Sequence, residues 1–213
     1  MNTYFGSNKR AVKNDDESDQ DESSVIYRES NHIYFYSEVN RKSIQSFIKL
    51  IREAEEYCYV TAFKLAIDVP IFLHISSLGG YIYDALNAID TIQRCRVPIH
   101  SIVEGSVASA GTLISVVCKK RFICPNAYML IHQLSSEVFG KMNEITDEYA
   151  NLSELMRVLK KIYMDHADFS KRKLDKLLKH DLYLSTHYAL KYNLADELYE
   201  NVLSPQRGIH KID

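Results

Sequence analysis

Twice in succession the chain runs from a short apolar segment through a glycine-containing turn into a helix, and this repeat constrains the fold more than any other feature. Ile71-Phe72-Leu73-His74-Ile75, just after Pro70, leads through Ser76-Ser77-Leu78-Gly79-Gly80 into a segment carrying Ile82, Leu86, Ile89 and Ile92 at helical spacing. Ile99 to Val103 then leads through Gly105-Ser106-Val107-Ala108-Ser109-Ala110-Gly111 into the small-residue helix Thr112 to Cys118. Parallel strands cannot be joined by tight hairpins and need such crossovers, so the pattern predicts a layered α/β domain with a βαβ opening. Upstream, Ile33 to Tyr36 is expected as a strand, and Ile44, Phe47, Ile48 and Ile51 recur as one helical face. Downstream, the strand Tyr128-Met129-Leu130-Ile131 delivers His132.

Beyond Gly140, Ile145, Tyr149, Leu152, Leu155, Met156, Leu159 and Ile162 mark one face of a long amphipathic helix, which should project or pack as a separate element. The basic stretch from Lys171 to Lys179 is expected as a solvated helix face. Residues 1 to 24 hold few apolar side chains and the acidic run Asp15, Asp16, Glu17, Asp19, Asp21, Glu22, a composition that cannot offset the entropy of ordering. This predicts a disordered acidic tail, with a removable propeptide or a docking arm as alternatives. The domain is expected over 25–205, with 206–213 as a second flexible tail.

With 213 residues there is room for one domain and tails, and a formal charge of −2 predicts no attraction to nucleic acid or anionic membrane. Cys58, Cys95, Cys118 and Cys124 form no CxxC pair, which signals neither a zinc site nor a disulfide framework and predicts a reducing, cytoplasmic setting, an organellar one being left open. No apolar run approaches the ~18 residues of a membrane span, and the N-terminus is polar rather than signal-like, so a soluble protein is expected.

Ser109 sits among alanines where an apolar strand meets an apolar helix. Small neighbours there let a substrate backbone approach, and a helix start supplies free N–H groups and partial positive charge, which suits a nucleophile. Small residues before a buried helix are equally what close packing requires, so a core serine stays open on this ground alone. Partners favour the nucleophile. His132 ends the next strand, where parallel neighbours bring their C-terminal edges together; Asp181 lies between a charged helix end and the apolar turn Leu182-Tyr183-Leu184; Gly79 and Gly80 offer unobstructed N–H groups. The set is complete for acyl transfer without metal or organic cofactor.

These segments resemble the family of the Clp protease proteolytic subunit, ClpP: Ile75-Ser76-Ser77-Leu78-Gly79-Gly80, Gly105 to Gly111, Met129-Leu130-Ile131-His132-Gln133 and Asp181-Leu182-Tyr183-Leu184-Ser185, four motifs in order between Asn31 and Tyr199. The resemblance implies a ClpP/crotonase-like α/β fold of stacked βαβ units with a protruding handle helix in a handle region of about 134–166, a serine endopeptidase with Ser109 as nucleophile, His132 as base and Asp181 as its orienting acid, and an oxyanion hole from the backbone N–H groups of Gly80 and Ala110. It also implies a homo-oligomer of two stacked heptameric rings that degrades unfolded polypeptide supplied by an AAA+ unfoldase. Departures fall on Leu78 and Leu134, where the family usually has proline, on Ser135-Ser136 in place of a glycine pair, on His180 where arginine commonly precedes the aspartate, on Arg94 in place of a docking-pocket aromatic, and on a longer connection between Glu53 and Pro70. Phe72 and Phe122 match other positions of that pocket. His180 would make assembly or activity pH-dependent. The altered apical surface keeps two alternatives in view, a processing protease of the phage head-maturation type and a latent or structural subunit. Crotonase chemistry would need no Ser-His-Asp set, and a signal-peptidase-like serine would pair with lysine.

Overall fold

The computed structural model describes residues 25–200 together with the backbone of Thr3 and Tyr4. The sequence-based limits of the two tails, and the end of the domain at 205, lie outside the described residues, apart from that pair. Thr3–Tyr4 forms a short strand, β1.

The body opens with an antiparallel hairpin, β2 (Val25–Glu29) and β3 (His32–Tyr36), turned at Ser30, whose φ of 54° lies in the left-handed region. Asn40 then caps α1 (Arg41–Leu65): its side chain accepts from Ser43 N–H, and Ser43 Oγ accepts from Asn40 N–H. That reciprocal pair satisfies donors that every helix start leaves unpaired. The extra residues before Pro70 are absorbed as further turns of α1, so Tyr59, Phe63 and Leu65 stand exposed at its far end.

β4 (Ile71–Ser77), α2 (Ile82–Arg94), β5 (Ile99–Ala108) and α3 (Ala110–Val116) follow, then β6 (Lys120–Ile123) and β7 (Tyr128–Leu130). β3, β4, β5 and β6 pair in parallel, as the crossovers require. β5 is longer than the apolar run Ile99 to Val103 suggests. Its first half pairs with β6, and after Gly105, at φ 57°, its second half pairs with β7. Glycine's freedom at positive φ lets the strand bend and change partners rather than end.

Alternation along the strands divides the sheet. Ile33, Phe35, Leu73, Ile75 and Val103 are buried with Ile44, Phe47 and Ile51 of α1 and Ile82, Ala85 and Ile89 of α2. The interleaved positions carry a ladder of rings: Tyr27 stacks on Tyr34 and Tyr34 on His74, at centroid distances of 4.5 and 4.4 Å. Within it His32 Nδ1 lies 2.9 Å from His74 Nε2, His74 Nδ1 lies 2.8 Å from Glu104 Oε1, and the Tyr36 hydroxyl donates to the other carboxylate oxygen. Burial pushes Glu104 toward a higher pKa, but the bonds from His74 and Tyr36 more than offset it and hold the carboxyl below its usual range.

The short β8 (Ser135–Ser136) precedes α4 (Met142–His166) and pairs antiparallel with β1. α4 buries Leu155, Leu159 and Tyr163, an i, i+4 series in its C-terminal half, and packs on α3; Ile145 and Tyr149, expected on the same apolar stripe, are exposed. α5 (Lys171–Leu177), β9 (Tyr183–Ser185), α6 (Thr186–Lys191) and β10 (Glu197–Leu198) complete the chain, and β10 adds in parallel to β6. The basic residues of α5 are largely exposed, as expected. One buried cation knits this end together. Arg121 of β6 binds Asp196 through its backbone N–H at 2.7 Å, through Nε at 3.1 Å and through a terminal nitrogen, and also donates to the His166 carbonyl at the end of α4. No helix is long and apolar enough to cross a membrane among the described residues.

Candidate active site

Ser109 occupies the single residue between β5 and α3, with φ 59° and ψ −128°. A serine gains nothing from such a conformation, which costs of order 1–3 kcal/mol and persists only where its surroundings over-determine it. Here its N–H donates to Leu130 O at 2.8 Å, and its carbonyl accepts from Thr112 N–H at 3.0 Å and Thr112 Oγ1 at 2.7 Å. Both main-chain groups of Ser109 are therefore fixed, one of them to β7, the strand that leads into His132. The Ser109 hydroxyl is buried and makes no hydrogen bond among the described residues.

His132 follows β7 by two residues and is buried. The position of Asp181 results from strand register. β9 runs antiparallel to β7 with Tyr183 opposite Leu130, and continuing that register by two residues brings Asp181 opposite His132. Gln133 N–H, donating to Leu178 O at 2.8 Å, fastens the incoming chain at the same place. Asp181 Oδ1 lies 3.6 Å from His132 Nδ1, an ion-pair separation longer than a hydrogen bond, and the Asp181 side chain is 64% exposed. Burial pushes the His132 pKa below the ordinary histidine value, and the Asp181 charge acts against that shift. The net result keeps the imidazole neutral, and able to accept a proton, at neutral pH.

The glycine turn closes the site from the other side. Val39 N–H donates to Gly79 O and Tyr81 N–H to Val39 O, both at 2.7 Å, around a parallel bridge between Val39 and Gly80. In such a bridge the flanking groups are used, and the N–H of Gly80 itself faces the opposite edge. A Cβ on Gly79, at φ 98°, would stand 2.6 Å from Ser109 Cβ, and one on Gly80 would stand 2.2 Å from Val39 O. Only glycines allow this backbone to lie against Ser109. Ala110 N–H belongs to the first turn of α3, where no helical carbonyl is available to it.

The structure thus brings His132 and Asp181 together, ties Ser109 to the strand that leads into His132, and lays Gly79 against Ser109. It does not join the Ser109 hydroxyl to His132 by a hydrogen bond. Sequence reasoning missed three supporting residues. Ser77 Oγ accepts from Gly79 N–H at 3.2 Å, Thr112 holds the Ser109 carbonyl, and the Tyr163 hydroxyl lies 2.6 Å from Thr112 Oγ1. The spacing 155, 159, 163 was a usable signal for the last of these. No group of three or more His, Cys, Asp or Glu side chains that could hold a metal ion occurs among the described residues.

Residues 14–202 match the family model described as Clp protease. A relative from Bigelowiella natans, an ATP-dependent Clp protease proteolytic subunit, is 29% identical over 133 residues, covering 62% of this chain and 68% of that one. The solved structure of a ClpP1 mutant from Listeria monocytogenes is similar with a TM-score of 0.69 at 23% identity, covering 81% of this chain and 93% of that one. The last likeness carries the fold: a mixed α/β architecture of the ClpP kind.

Proposed function

Since the chain belongs to the Clp protease family, a family of peptidases, we propose that it is a serine endopeptidase that hydrolyses unfolded polypeptide by a Ser-His-Asp acyl-enzyme mechanism. Ser109 attacks the peptide carbonyl, His132 takes its proton and returns it to the leaving amine, and Asp181 orients the imidazole and stabilises the imidazolium. The N–H groups of Gly80 and Ala110 receive the oxyanion, each donor of this kind being worth about 2.7–4 kcal/mol. Water then attacks the acyl-Ser109 ester by the same route in reverse.

The observation that carries this reading is the shared register of β5, β7 and β9. Ser109 bonds to Leu130, Leu130 pairs with Tyr183, and the two strand ends present His132 and Asp181 to each other. Strained φ at the serine and obligatory glycines beside it support the same reading. An extended substrate suits the site, because Ser135–Ser136, just past His132, already accepts an antiparallel strand in β1. On this reading the working form is an oligomeric chamber of two stacked heptameric rings fed by an AAA+ unfoldase, in a reducing compartment where the four thiols stay unpaired.

A second reading, a subunit latent until it assembles, rests on the Ser109 hydroxyl making no hydrogen bond among the described residues. Reaction of the purified protein with a fluorophosphonate serine probe, alongside its mass in solution, tests both. Labelling in wild type that disappears in Ser109→Ala and His132→Ala supports the serine peptidase; no labelling of an intact oligomer refutes an active triad and favours the latent subunit. Cleavage of a loosely folded protein with and without an unfoldase separates general degradation from processing at defined sites.

A further inference from the structure

Three hydroxyl and carbonyl groups form a buried line from α4 to the nucleophile. Tyr163 and Thr112 are fully buried, and their hydroxyl oxygens are 2.6 Å apart; Thr112 Oγ1 is in turn 2.7 Å from the carbonyl oxygen of Ser109. The proton positions follow from counting. A carbonyl can only accept, so the single hydroxyl proton of Thr112 goes to Ser109 O, and the Tyr163 hydroxyl must donate to Thr112 Oγ1. Burial pushes the Tyr163 pKa up, so the phenol stays protonated for this task.

The carbonyl that receives this line belongs to the peptide joining Ser109 to Ala110. No cis peptide bond occurs among the described residues, so its C=O and the N–H of Ala110 point in opposite directions across one rigid plane. Thr112 holds that plane by two donors, its N–H at 3.0 Å and its hydroxyl, and Tyr163 polarises and aims the hydroxyl. Rotating the plane would turn Ala110 N–H away from the place where the oxyanion forms. The line also crosses from one element to another, since Tyr163 is 51 residues from Thr112, on the helix whose N-terminal half stands exposed.

We propose that Tyr163 is a positioning residue that sets the Ser109–Ala110 peptide plane through Thr112, so that the placement of α4 decides whether Ala110 N–H points into the oxyanion hole. The proposal rests on the serine peptidase reading above and deepens it, because it names what controls that site.

The test uses the full-length assembled protein. Tyr163→Phe keeps the ring and removes the donor; Thr112→Val removes the link; Thr112→Ser keeps it. Two readouts are taken, kcat and KM on a fluorogenic peptide, and hydrogen–deuterium exchange of the segment 108–113. Tyr163→Phe is expected to lower kcat about tenfold with KM nearly unchanged, a fraction of the ~10²–10³ that follows outright loss of one oxyanion donor, and to speed exchange in the segment. Thr112→Val should do the same or more, Thr112→Ser should retain most of kcat, and the double variant should be no slower than Thr112→Val alone. Wild-type kcat and exchange in Tyr163→Phe, with only a lower melting temperature, would overturn the proposal while leaving the peptidase reading intact. Faster exchange in Tyr163→Phe, together with a wild type that neither hydrolyses peptide nor reacts with the serine probe, would overturn the peptidase reading, and with it the service of Tyr163 to an oxyanion hole.

Discussion

Replacing Asp181 by asparagine separates the charge of the acid from its shape, and the geometry sets the size of the effect. Two unit charges 3.6 Å apart interact by about 1 kcal/mol in a water-like medium and by about 5 kcal/mol at an effective dielectric constant of 20. With its side chain 64% exposed, Asp181 belongs near the first limit. The sign is fixed by the causes: burial lowers the His132 pKa and Asp181 raises it, so removing the charge leaves burial alone. The acid limb of kcat/KM should therefore move to lower pH in Asp181→Asn. The maximum rate should fall by roughly 10- to 100-fold, less than the ~10⁴-fold found where a buried aspartate is hydrogen-bonded to the imidazole. A pH–rate profile on a fluorogenic peptide, from pH 5 to 9, measures both. An acid limb that moves upward, or a rate loss near 10⁴, would refute the placement of Asp181 as a solvated, electrostatic orienter.

Gly79→Ala should cost about 2–4 kcal/mol, from a residue forced to φ 98° and a Cβ driven into Ser109; denaturant unfolding measures the loss, and serine-probe labelling should disappear while the protein is still folded. Burial lowers the pKa of His32, His100 and His132, so the unfolded state binds more protons below about pH 6.5 and stability, complete above that pH, is lost as pH falls through the folded-state values. Melting temperatures measured from pH 8 to 5 should show this decline, and His100→Phe should make it shallower; an unchanged slope would count against the assignment. Arg121→Met should destabilise by about 3 kcal/mol, since it strips Asp196 of its counter-charge and the His166 carbonyl of a donor, as equilibrium unfolding would show.

Where local pattern and tertiary structure asked for the same thing, the sequence was legible. β4, α2 and β7 lie where their apolar runs and spacing put them, and neighbouring parallel strands do bring the ends bearing Ser109 and His132 together. Gly105 misled because its flexibility serves a bend inside β5, whereas in isolation a glycine after an apolar run signals a turn. Ile145 and Tyr149 fit the helical period of α4 as well as Leu155 does, yet period says only which residues share a face, not how far along the helix a neighbour reaches. The alignment of Asp181 with His132 depends on a three-residue antiparallel strand too short to carry a period, and the Tyr163–Thr112 link on two hydroxyls whose separation in sequence hides their contact.

Arg121 and Asp196 are 75 residues apart, which gives the assembly of this chain an order in time. At synthesis rates of about 5–20 residues per second, Arg121 would wait roughly 4–15 s for its partner. Ser109 is already made when the interval begins and His132 follows early in it, but β6 lacks both its charge partner and β10, the parallel neighbour that covers its edge. A nascent chain at that stage holds Ser109 and His132 without their full setting, and Arg121 without its counter-charge. The proposed catalytic residues thus come to lie in a settled structure only once Asp196 and β10, in the last fifth of the chain, have been made.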